Sequence, residues 1–262
     1  MHMWEMAPSS TTGRWINATT EPATNSYTAL YLDGGGKLSM TAPKTAASDP
    51  YVWGAGPPVT YALSEPYGQD MTLVGPRALR LYVTSSNTNV QLFAELDDVA
   101  PDGTVSAITH GSILGSRKQT DPARSWTAPN GLPSQPYLTL DQDRYLKANQ
   151  PVELDVPLQP VTWRVPKGHT LQLKLAPNAG VACAYDSTQR QGGAPVFNAP
   201  TGCILSKPML QSLAGGVYQV LHDPTHPSAL NLPLVPSDSF VTATSGVTPT
   251  SGSTALPQNW NS

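Results

Sequence analysis

Four side chains that could do chemistry crowd into seven residues near the end of the chain: His222, Asp223, His226 and Ser228. Serine, histidine and aspartate are the parts of a charge-relay hydrolase. Two histidines four residues apart would share one face of a helix and could hold zinc. The intervening residues argue against both readings. Pro224 and Pro227 oppose a regular helix, and no third ligand lies close in sequence, so a structural strand-turn-strand role is expected for the pair. A serine hydrolase of the α/β class also needs a Gly-x-Ser-x-Gly elbow at a sharp strand-to-helix turn. Gly111-Ser112-Ile113-Leu114-Gly115 has the wrong spacing. Gly34-Gly35-Gly36-Lys37 lacks the Walker spacing, and there is no His-Glu-x-x-His helix, Cys-His pair or dinucleotide fingerprint. His110 and His169, at a strand end and a turn end, read as hydrogen-bonded structural groups. No catalytic residue, metal or cofactor is therefore assigned.

Three other sets of residues invite a role. Asp97-Asp98 with Asp102, and Asp141-Gln142-Asp143, are loop carboxylates of the kind that hold calcium in some sandwich modules, although solvated turn residues have the same pattern. Tyr51, Trp53, Trp126 and Tyr137, together with Tyr67, fall in expected loops. Loop aromatics on a β-sandwich can stack on sugar rings, pack against a neighbouring domain or cap the ends of the sandwich. Cys183 and Cys203 stand with nineteen residues between them, in a stretch rich in Gly, Pro, Ser and Asn. Two cysteines cannot complete a four-ligand zinc site. A disulfide closing a surface loop is expected, worth about 3 kcal/mol by the chain-entropy account, and with it an oxidising location, secreted or periplasmic.

The elements that must position these residues are strands. Twenty-seven prolines and 21 glycines in 262 residues exclude long helices and favour short strands joined by turns. With 13% charged residues, a net charge of −3 and no arginine-rich run, nucleic acid is not an expected partner. No apolar stretch approaches the ~18 residues of a membrane span. Ala29–Leu32 and Lys37–Met40 flank a glycine turn as a hairpin. Arg77–Thr84 alternates strictly, with Leu79, Leu81 and Val83 on one face, and Val90, Leu92, Ala94 and Leu96 repeat the pattern. Pro101-Asp102-Gly103 turns the chain into Thr104–Thr109. Further strands are expected at 59–63, 152–156, 161–165, 169–175, 217–222 and 229–234. Residues 43–58 and 117–150 read as long loops, and Lys207–Leu213 as a weak helix.

This pattern predicts an all-β fold, a jelly-roll β-sandwich over residues 28–236. Residues 1–27 read as an irregular segment joining a missing upstream domain, since Met1-His2-Met3 carries no signal-peptide pattern. Residues 237–262 read as a Thr/Ser/Gly/Pro-rich tail or linker.

Several runs, in order, resemble one family. They are Ala29-Leu30-Tyr31-Leu32 with Gly36-Lys37-Leu38-Ser39, Gly75-Pro76-Arg77-Ala78-Leu79-Arg80-Leu81-Tyr82-Val83, Phe93-Ala94-Glu95-Leu96-Asp97-Asp98-Val99-Ala100-Pro101-Asp102-Gly103, Thr109-His110-Gly111-Ser112-Ile113-Leu114, Val165-Pro166-Lys167-Gly168-His169 and Tyr218–Leu234. Together they look like the C-terminal non-catalytic β-sandwich of X-prolyl dipeptidyl peptidases and the cocaine-esterase (CocE/NonD) group of serine hydrolases. The resemblance implies a jelly roll related to galactose-binding folds, packed beside an upstream α/β-hydrolase catalytic domain and helping to shape its active-site entrance. That domain carries the triad, and no triad residue maps onto this sequence. The competing class is a free-standing carbohydrate-binding β-sandwich module.

Overall fold

Period-two alternation becomes strand along most of the chain. The computed structural model describes residues 2–8, 13–18, 26–54, 57–176, 190–191, 194–195 and 207–242. Cys183, Cys203 and the tail beyond 242 lie outside the described residues. In chain order the strands are β1 (His2–Glu5), β2 (Arg14–Asn17), β3 (Thr28–Asp33), β4 (Lys37–Ser39), β5 (Ala47–Val52), β6 (Val59–Leu63), β7 (Met71–Ser85), β8 (Gln91–Val99), β9 (Val105–Leu114), β10 (Trp126–Thr127), β11 (Pro133–Gln135), β12 (Val152–Val165), β13 (Thr170–Ala176), β14 (Arg190–Gln191), β15 (Ala194–Pro195), β16 (Val217–His222), β17 (Ala229–Leu232), β18 (Leu234–Pro236) and β19 (Val241–Thr242), with one short helix, α1 (Lys207–Leu213), before β16.

The long strand β7 is the spine. On one side it pairs with β12 over nearly its whole length, from Val83↔Val152 to Met71↔Val165. On the other it meets β16, β17 and β18 in succession. From β17 the pairings run through β3, β4, β6, β13, β8 and β9 back to β12, so this part of the sheet closes on itself, while β16 and β5 extend from β7 as a branch that ends in an edge strand. All these contacts are antiparallel except β4 with β6. The closing contact is a single pair, Leu158↔Gly111. A Cβ on Gly111 would sit 2.1 Å from the Pro157 carbonyl oxygen, so only glycine lets β9 and β12 approach this closely.

The expected core is present. Leu79, Leu81, Val83, Val90, Leu92, Ala94, Leu96, Leu171, Leu173 and Leu175 are all buried in one apolar cluster between the sheet's faces. The short strand at 77–84 proves to be part of a fifteen-residue one. Gly75 adopts φ +112°, and Pro76 has no N–H to offer the ladder. Both neighbours give way at this level: β12 shifts register between Leu158 and Val161, and the chain passes from β17 to β18 at Pro233. The sequence pattern reads β12 as two strands because of this bulge. The Arg77 guanidinium fills the gap. It is buried and donates to the carbonyls of Gly75 and Val161, and its burial lowers its pKa to about 10.

Two expected loops contain strands. Residues 43–58 hold β5, which pairs along β16. Pro50 is tolerated there because β5 ends the path of paired strands. Residues 117–150 hold the small β10–β11 hairpin, whose Asn130 and Pro133 are tied to Asn231 of β17 by hydrogen bonds. The N-terminal segment is not irregular either. β1 and β2 pair residue for residue, and β19 adds a third strand. This small sheet has its own apolar contacts, Ile16, Ala18, Val74 and Phe240. It is fastened to β12 by Met6 N–H to Thr162 C=O and Arg164 N–H to Met6 C=O.

Candidate functional site

The His-Asp-His-Ser run lies between β16 and β17, and each side chain is engaged separately. His222 ends β16, buried, with Nε2 2.8 Å from Asp49 Oδ2. The same oxygen accepts the Tyr61 hydroxyl at 2.7 Å. His226 is turned to a different carboxylate, with Nδ1 3.0 Å from Asp223 Oδ2. Asp223 Oδ1 accepts the N–H groups of Thr225 and His226, which makes the tight turn that Pro224 begins. Ser228 Oγ donates to the Leu221 carbonyl at 2.6 Å and accepts the Tyr82 N–H at 2.9 Å. Its one proton is committed to a carbonyl, so it is no nucleophile in waiting. It staples β16, β17 and β7 together. Ser228→Ala is expected to cost about 1–3 kcal/mol, because it strands a buried N–H and a carbonyl. Urea unfolding measures this, and an unchanged midpoint would refute the staple.

The acidic sets are also divided among partners. Successive residues on a strand point to opposite faces. Asp97 meets Lys174 Nζ at 2.6 Å on one side of β8. Asp98 on the other side lies 2.6 Å from His169 Nδ1 and accepts Trp163 Nε1–H at 3.0 Å. Burial raises the Asp97 carboxyl above its usual range, with Lys174 pulling the other way. Asp102 caps the Thr104 N–H in the turn. Asp141 forms a bidentate pair with Arg144, and hydrogen bonds from Arg144 and Thr139 hold its carboxyl well below the usual range. Asp143 pairs with Arg117. Among the described residues no three His, Cys, Asp or Glu side chains converge as a metal site would require. His110 is exposed on β9.

The four aromatics proposed for sugar stacking do not form a platform. Tyr51 is buried on β5 and meets Tyr218 edge to face at 5.1 Å. Trp53 packs on Met209 and Leu213 of the α1 region and donates from Nε1 to Gln91 Oε1 at 3.0 Å. Tyr67, too, packs against the main core. Tyr137 lies under the Arg124 guanidinium, 3.4 Å from its ring centroid. Trp126 alone of the four is broadly open, at 54% exposure. A different aromatic surface emerges at the other end. Trp4 of β1 and Trp15 of β2 are directly opposed across the ladder, edge to face at 5.4 Å, and His2 stacks on Trp15 at 4.6 Å. Val241 of β19 pairs with Asn17 on the same outer face. Trp4, Trp15 and Val241 are 46%, 45% and 71% exposed. Four-residue strands are too short for alternation to announce them. The only sequence signal is the pair of tryptophans in a polar stretch.

Residues 2–193 match the X-Pro dipeptidyl-peptidase C-terminal non-catalytic domain family. The chain belongs to this family. The match begins at residue 2, the first residue of β1, and takes in both N-terminal strands. Among solved structures, this X-Pro dipeptidyl-peptidase C-terminal domain is similar to a CocE/NonD family hydrolase from Staphylococcus aureus, with 18% identity and a TM-score of 0.67 over 89% of this chain and 41% of that one. An aminopeptidase from a marine sediment archaeon, Thaumarchaeota archaeon, matches with 14% identity and a TM-score of 0.61 over 88% and 40%. An α-amino acid ester hydrolase matches with 18% identity and a TM-score of 0.56 over 79% and 36%. At these identities the likeness establishes the fold. The chain spans about two-fifths of the length of these hydrolases. No curated protein matches it.

Proposed function

We propose that this chain is the accessory domain of an α/β serine hydrolase of the X-Pro dipeptidyl-peptidase or CocE type, and that it packs on the catalytic domain and helps to shape the entrance to its active site. The observation that carries this reading is the outer face of the small sheet. His2, Trp4, Trp15 and Val241 present an aromatic and apolar surface that is largely exposed among the described residues. Tryptophan is enriched among the residues that anchor protein interfaces. The secreted or periplasmic location remains part of the proposal and rests on Cys183 and Cys203. The carbohydrate-module reading draws no support from Tyr51, Trp53 and Tyr137, which face different neighbours, or from Trp126, which is open but stands apart from them.

The test is direct. The catalytic domain of the parent hydrolase, expressed apart from this chain, is titrated with it by calorimetry. Binding is expected, and Trp4→Ala with Trp15→Ala should weaken it by about tenfold to a hundredfold, because truncated tryptophan anchors cost ~2 kcal/mol or more. Equal affinity of the double variant would remove this face from the interface.

A further inference from the structure

One groove is left unexplained by docking. It lies where the 117–150 excursion returns to β12, has a volume of about 330 Å³, and is lined by Lys118, Arg144, Tyr145, Leu146, Lys147 and Val152 among others. The backbone around it is irregular but firmly held. Arg144 N–H donates to Ser116 C=O at 2.8 Å, Leu146 N–H to Thr88 C=O at 2.7 Å, and Asn149 N–H to Ser85 C=O at 2.7 Å. The ion pairs Arg117–Asp143 and Arg144–Asp141 brace the same stretch. Leu140 and Asn149 are held at φ +53° and +58°. A leucine rarely adopts that region, and such strain persists only where the surroundings impose it.

The electrostatics of the groove are unlike those of the molecule. The chain carries a net charge of −3, yet the segment from Arg117 to Lys147 holds five Lys and Arg against three Asp. Arg144 is neutralised by Asp141. Lys118 and Lys147 pair with no carboxylate among the described residues. Two lysines with no carboxylate partner among the described residues line one concavity, and their charges lower the free energy of any anion that enters. Tyr145, Leu146 and Val152 line the same groove, the last two also packing against the main core.

We propose that this groove binds a small organic acid, a carboxylate borne on an apolar or aromatic stem of amino-acid size. Lys118 and Lys147 take the carboxylate as point charges. Tyr145, Leu146 and Val152 take the stem. The volume is at the small end of ligand pockets, which suits a single residue or dipeptide. The lysines are solvated, so affinity is millimolar and falls with added salt.

The experiment is a nitrogen-15 NMR titration of the labelled chain at low ionic strength with three probes: N-acetylphenylalanine, N-acetylphenylalanine amide and inorganic phosphate. The acid is expected to shift the amides of residues 118–119 and 145–152 saturably, and the amide probe to leave them unmoved. Lys118→Gln with Lys147→Gln should weaken the acid about fivefold or more with an unchanged melting temperature. Lys118→Arg with Lys147→Arg should retain it. Equal binding of the acid and its amide, or unaltered affinity in the double glutamine variant, would overturn the proposal. Phosphate binding as tightly as the acid would do so as well, by reducing the groove to a general anion trap.

Discussion

Leu81→Ala is expected to destabilise the domain by about 2–5 kcal/mol, the range for emptying a leucine-sized volume in a packed core. Leu81 has no exposed surface and lies opposite Leu154, itself fully buried. It belongs to the one strand that pairs with β12 on one side and with β16, β17 and β18 on the other. A cavity here cannot be relieved by moving one edge, because the sheet closes on itself. Urea or thermal unfolding checks the value. Leu140→Ala serves as the contrast: its side chain is 57% exposed, and its loss should change stability by no more than about 0.5 kcal/mol. Equal effects from the two variants would mean that β7 is not the spine described above.

The second large effect is expected at Glu5, a buried carboxylate with a structural task. Oε2 accepts Arg14 Nε–H at 2.6 Å, and Oε1 accepts the Thr72 hydroxyl at 2.5 Å. Thr72 Oγ1 lies 2.7 Å from Ser237 Oγ, and Arg14 donates to the Ser237 carbonyl at 3.1 Å. One carboxylate thus ties β1, β2, β7 and the turn before β19. Removing one partner of a buried ion pair costs about 3–5 kcal/mol. Arg14 is a quarter exposed and recovers part of its hydration, so Glu5→Ala is expected to cost about 2–4 kcal/mol. The loss should be local. Amide exchange at Ile16 and Asn17 should accelerate in the variant, while that of Leu173 in β13 should follow only the global change. If the Ile16 amide exchanges at the wild-type rate, the network is not what holds the small sheet. Because Trp4 and Trp15 ride on that sheet, Glu5→Ala should also weaken the proposed docking on a catalytic domain.

Glu5 and Leu81 show where sequence reasoning succeeds and where it stops. Leu79, Leu81 and Val83, and likewise Leu171, Leu173 and Leu175, alternate over enough residues for the buried face to be read directly. The ordered runs from Ala29 to Leu234 resemble the family that the residue 2–193 match then establishes. β1 and β2 are four residues each and offer no such pattern. β5 is masked by Pro50, which is admissible only because the strand lies at the end of the path of paired strands. The break in β12 looks like a turn in sequence. It is a bulge that answers Pro76 of a strand some eighty residues earlier.

What the sequence by itself determined is the all-β class, the phase of the long strands and the family. These follow from short-range alternation and from residue identity along the chain. What only the tertiary structure decided is the fate of individual side chains: that Tyr51 is covered by Tyr218, that Trp4 and Trp15 stand opposed and open, that Asp97 and Asp98 turn to different cationic or N–H partners, and that Lys118 and Lys147 meet no carboxylate among the described residues. Period two says that a strand has two faces. Which face is covered depends on an element tens or hundreds of residues away, and burial and charge compensation are set by that distant neighbour.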